Sequence, residues 1–243
     1  MKLPALLLVL AAFASGQIQI DPAIAAEIAK IKAIDNHAHP VLPAPGDTGY
    51  DALPVEHMDP YTEPVRTRAG ISPAAEASRQ LFGSMPQPGR IAQEREGYPN
   101  WVLDQLGIET MLANRIAMGP GIAPPRFLWV PFEDALLFPL DNRALAINSD
   151  RKAFFDDESR LLAQYLKACG YTKPPASLGE YLQKIVDPTL ERQKRGGAVA
   201  VKFEAAYLRS LDFDDVSRAE ADAAYVHKAS YKKLQDFLFR HIS

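Results

Sequence analysis

The chain has 243 residues, 47% hydrophobic and 23% charged, an ordinary globular composition with enough length for a sizeable core. A net charge of −3 excludes nucleic acid or an acidic membrane surface as a partner chosen by bulk charge. The lone Cys169 excludes an internal disulfide and reads as a small apolar residue packed in a helix.

The first sixteen residues read as a secretory signal peptide. Lys2 gives a positive start, Leu3 to Phe13 is apolar, and Ala14-Ser15-Gly16 supplies the small residues of a cleavage site. The apolar run is too short to span a membrane. The expectation is a mature protein beginning at Gln17, periplasmic or secreted, without a membrane span. Asp21-Pro22 then opens a helix, with Asp as N-cap and Pro at the first helical position. Ile24, Ile28 and Ile31 recur at helical spacing and predict an apolar stripe that packs on the core.

Ile34-Asp35-Asn36-His37-Ala38-His39-Pro40 follows as a strand end. Side chains at i and i+2 of a strand share a face, about 6–7 Å apart along the chain. Two imidazoles so placed can grip one divalent cation, and Asp35 can accept a hydrogen bond behind them. Pro40 stops the strand where the histidines emerge. From Val41 to Arg68 the chain is rich in Pro, Gly and Asp without periodicity, a long loop that includes His57. That histidine reads either as a solvated loop residue or as one that approaches a substrate.

Helices are predicted from Ser72-Pro73 to Phe82 and from Tyr98 to Leu106, the latter closed by Gly107. Ile108 to Ala113 reads as a second strand, with Asn114 and Arg115 leaving its end. The planar fork of Arg115 suits a substrate carboxylate or a structural ion pair. Phe127 to Phe132 reads as a third strand with Glu133 and Asp134 at its exit. Apolar residues at helical spacing place helices at Asp150 to Cys169 and Leu178 to Lys194. Gly196-Gly197 turns into Ala198 to Glu204, an apolar run that predicts a fourth parallel strand buried on both faces. Lys202 inside that run needs a partner: a substrate, or Glu204 or Glu133. Ser217 begins a long amphipathic helix predicted to reach about His241.

Alternating strands and helices argue an α/β fold with a parallel sheet. The H-x-H string resembles the amidohydrolase superfamily, specifically its amidohydrolase-related (type 2) branch. Leu106 to Arg115 and Val199 to Tyr207 are similar to that family's second and fourth strands. The resemblance implies the N-terminal half, about four β/α units, of a TIM (β/α)8 barrel with helical and loop insertions. It implies metal ligation by His37 and His39, with zinc first and manganese or iron as alternatives. It also adds a role for Lys202, which is carbamylated and bridges two metals in several branches.

The family's further histidine ligands follow strands 5 and 6, and its aspartate follows strand 8. Here the downstream histidines are only His227 and His241, both on the last predicted helix, so neither is carried over. Residues 17–243 therefore read as a partial domain truncated before strand 5, with the general base expected beyond Ser243. The implied function is a metal-dependent hydrolase, in full-length form, whose activated water attacks an amide, ester or related bond of a small molecule. A decarboxylase or sugar-acid isomerase on the same fold, or a non-catalytic exported binding module, are the alternatives. An oligomer is compatible with either.

Overall fold

The computed structural model describes residues 21–42, 47, 49, 73–147, 149–228 and 230–243. The expected signal peptide and His57 lie outside the described residues. The chain divides into two units, Met1–Lys32 and Ala33–Ser243. In the first, helix α1 (Pro22–Ile28) starts as its sequence dictates: Asp21 Oδ1 accepts the Ala23 amide at 2.7 Å, with Pro22 at the first position. Ile24, Ile28 and Ile31, expected in the core, are all exposed.

The second unit holds a parallel three-stranded sheet in the order β1 (Ala33–Ala38), β2 (Ile108–Asn114), β3 (Phe127–Val130). Helices α2 (Pro73–Phe82), α3 (Gln87–Glu94) and α4 (Tyr98–Leu106) lie between β1 and β2 in the chain. Gly107 closes α4 in the left-handed conformation at φ 67°, and the next residue begins β2. The β2–β3 register is regular from Met111↔Phe127 to Asn114↔Val130. That of β1 and β2 is not: Asp35 pairs with Met111 and Ala38 with Ala113, so β1 carries one extra residue between these pairs. An extra residue of this kind bends a strand and re-aims its side chains.

The fourth strand is the first correction. Residues 198–204 pair through two isolated parallel bridges, Trp129↔Ala198 on β3 and Phe132↔Lys202 two residues past its end. The direction and the place beside β3 are as predicted, but the ladder is broken at the bend around Ala200. The run is not buried on both faces either, since Val199 and Val201 are 54% and 36% exposed. Three strands and a bridged segment thus stand where four strands were expected.

After β3 the short helix α5 (Asp134–Leu137), which the sequence did not announce, begins the main core. Helix α6 (Ser149–Ala168) sets Phe155, Leu161, Leu162 and Leu166 into it. The second predicted helix is split into α7 (Leu178–Tyr181), a π-helical turn (Leu182–Val186) and α8 (Asp187–Arg195). Pro188 explains the π-turn: it has no N–H to give the Lys184 carbonyl and its ring crowds that oxygen, so the ladder widens and Asp187 N–H bonds Leu182 instead. The last predicted helix is also two, α9 (Arg218–His227) and α10 (Tyr231–Ile242), separated by left-handed Lys228 and Ser230. The split lets Ala221, Ala224 and Tyr225 of α9 and Leu234, Leu238 and Ile242 of α10 enter one core. Among the described residues no helix is long and apolar enough to cross a membrane.

Candidate functional site

The candidate side chains gather at the carboxyl ends of the parallel strands, the usual place for ligand sites in α/β sheets. His37 is the penultimate residue of β1 and His39 follows the strand. The extra residue in β1 falls at Asn36–His37, and Asp35 Oδ1 fixes the bend by accepting the His37 main-chain N–H at 3.1 Å. The two imidazole Nε2 atoms come to 3.1 Å from each other. The ring of His39 lies 5.8 Å from that of Phe132, the buried residue that ends the third strand line.

Lys202 joins them. Its backbone is locked beside β3, its N–H bonding Pro131 O at 2.8 Å and its carbonyl accepting Glu133 N–H at 2.9 Å. Its Nζ lies 3.1 Å from His37 Nε2, across 165 residues of sequence. Three strand spacings separate β1 from this segment, about 14 Å if the sheet were flat. The two side chains and the 3.1 Å gap between their heads together cover about that distance, so the two residues meet across the width of the sheet.

Asn114 and Arg115 leave β2 at the same level, both buried. Asn114 Nδ2 donates to Ala38 O at 3.2 Å. Arg115 is 1% exposed and holds a carboxylate of the chain itself. Its Nη1 and Nη2 take Asp47 at 2.9 and 2.7 Å, Nε donates to Ala117 O at 2.8 Å, and Nη1 also reaches Pro40 O. Of the two roles open in the sequence, the ion pair is the one formed. Burial works to raise the Asp47 carboxyl, but Arg115 and the amides of Leu42 and Gly49 together hold it below its usual range.

A group of buried acids lies behind: Glu133, Asp134, Glu158 and Glu204. Burial pushes Glu133 up to about 8, with Asp134 raising it further and the Gln193 amide and Arg192 charge opposing. Burial likewise raises Asp134 and Glu158, Asp134 against the pull of the Glu204 amide and of the Lys202 charge. Among the described residues neither Glu133 oxygen has a hydrogen-bond partner. Glu158 was legible in principle. It stands four residues from Phe154 and from Leu162, on the apolar face of α6, though Asp156-Asp157-Glu158 looks like a solvated acidic run. Asp47 and Phe132 gave no such signal, since neither spacing nor composition marks them.

Two imidazole nitrogens 3.1 Å apart fit two positions on one ion, whose metal–nitrogen bonds are about 2.0–2.1 Å long for zinc. Among the described residues no set of three or more His, Cys, Asp or Glu able to hold an ion is formed. Lys202 is the third nitrogen at the pair, and while charged it opposes a cation there; its flexible stem allows it to withdraw. No family model, curated protein sequence or solved structure matches the chain.

Proposed function

We propose that the chain belongs to a metal-dependent hydrolase of the amidohydrolase type, with His37 and His39 as two of the ligands of a divalent cation, zinc first. The observation that carries this reading is the convergence of the His37, His39 and Lys202 nitrogens at 3.1 Å by the carboxyl ends of a parallel sheet. The strand order β1-β2-β3 with residues 198–202 next in line supports an arc of a (β/α)8 barrel.

A bound divalent ion supplies Lewis acidity: it polarises a substrate carbonyl and brings the pKa of a water molecule toward about 7. The chain's own groups do the rest. His37 and His39 hold the cation through Nε2, the Phe132 ring shields one side of His39 from water, and Lys202 presents a mobile positive charge to an anionic group of a small-molecule substrate. Catalytic zinc sites usually have three protein ligands, so this reading needs one more than the histidine pair.

The test is Zn²⁺ or Co²⁺ binding by the protein and by its His37→Ala and His39→Ala variants. Loss of either ligand is expected to weaken binding well over tenfold, because even outer partners of ligands are worth about 10–100-fold. Unchanged metal affinity in His39→Ala leaves the non-catalytic, partner-binding reading in its place.

A further inference from the structure

The residues that leave β2 hold the main chain on both sides of His39. Asn114 Nδ2 donates to the carbonyl of Ala38 and Arg115 Nη1 to that of Pro40, so the residues on either side of one histidine are each tied by their carbonyls to a buried side chain of the neighbouring strand end. Arg115 cannot slide, because its Nε is spent on Ala117 O and its fork on Asp47. Asp47 in turn accepts the amides of Leu42 at 2.9 Å and Gly49 at 3.2 Å, which fastens the loop that His39 leads into. Gly49 lies so close to the 115–117 turn that a Cβ on it would meet Ala117 O at 3.2 Å, and Ala117 N–H bonds Gly49 O at 3.2 Å.

We propose that Asn114 and Arg115, with Asp47 as the anchor of Arg115, are positioning residues for His39: they fix the backbone on either side of it so that its Nε2 meets that of His37. The physical need is plain. His39 lies one residue beyond the end of β1, and a two-histidine grip on one ion tolerates errors of only about 0.5 Å. His37 is held separately, its main-chain N–H bonding Asp35 Oδ1. A substrate-binding Arg115 would require its fork to be open to solvent, whereas it is filled by Asp47 and closed in. The inference rests on the two histidines acting as a pair and deepens the metal reading above.

The experiment compares wild type with Asn114→Ala and Arg115→Lys, the second of which keeps the charge but not the four-bond fork. Asp47→Asn with Arg115→Met serves as a variant that leaves no unpaired buried charge. In the metal-free protein, nuclear Overhauser contact between the His37 and His39 ring protons reports the pairing directly, while the His37–Lys202 contact is the internal control. Asn114→Ala and Arg115→Lys are expected to lose or broaden the His37–His39 contact, keep the control, and weaken Co²⁺ binding about 10- to 100-fold. Retention of the ring contact in both variants overturns the proposal, and so does its absence from the wild type. Wild type that shows the contact, loses it in the variants and takes up no Co²⁺ supports the positioning role while removing the metal reading.

Discussion

Glu133 is the residue whose environment departs furthest from what an acidic side chain at a strand exit suggests. It is fully buried, and among the described residues neither of its oxygens is hydrogen-bonded. A raised folded-state pKa means that the native protein keeps a proton that the unfolded chain gives up, so the stabilisation is complete below about 4.5 and is lost as pH rises through about 8. Asp134 and Glu158 shift the same way and steepen the loss. Denaturant unfolding of wild type is therefore expected to show stability falling across this window. Glu133→Gln, which cannot ionise, should remove up to one proton, about 1.4 kcal/mol per pH unit, from the slope. An identical slope in the variant would assign the pH dependence to the other acids alone.

Among the elements, the junction of α9 and α10 shows a break that serves packing at the expense of local backbone energy. Lys228 sits at φ 53° as the cap of α9, a position where glycine is the usual residue because a Cβ there crowds the following carbonyl. The Ser217–Glu220 capping box at the other end of α9 is, by contrast, fully formed. Lys228→Gly is expected to stabilise the protein by about 0.5–1 kcal/mol, raising the melting temperature by roughly 2 °C for a chain of this size. A calorimetric scan showing a lower melting temperature would mean that Lys228 contributes more through its side chain than its backbone costs.

For the molecule as a whole, the sheet has two unfinished sides. Residues 198–204 bond β3 only in part, and β1 has β2 as its only strand partner among the described residues. Ile34 on β1 is 67% exposed, and Val199 and Val201 on the opposite side are open as well. Apolar side chains beside open strand edges favour association between chains. Residues 17–243 are expected to increase in mass with concentration in light scattering, and Ile34→Lys with Val199→Lys to reduce this. A monomer at all concentrations would show that these edges are covered in solution.

Much of the local order was written in local chemistry. Asp21-Pro22, Ser217 with Glu220, and Gly107 mark helix ends, because capping depends on one or two residues and their own backbone. The two histidines were legible as a pair by their spacing, but β1 ends between them and carries an extra residue at Asn36–His37, so the 3.1 Å approach of their rings is not that of a regular strand face. What the tertiary structure alone decided lies at longer range. Whether residues 198–204 form a ladder depends on how the neighbouring strand presents its carbonyls, and their apolar composition carries no word of that. Whether the last helix is one or two depends on the shape of the core that both halves fill. The 3.1 Å meeting of Lys202 with His37 joins residues 165 positions apart and depends on the segment after β3 lying in line with the sheet. The role of Arg115 was decided by Asp47, 68 positions away in an unpatterned loop, because an ion pair needs only two charges and a fold that brings them together.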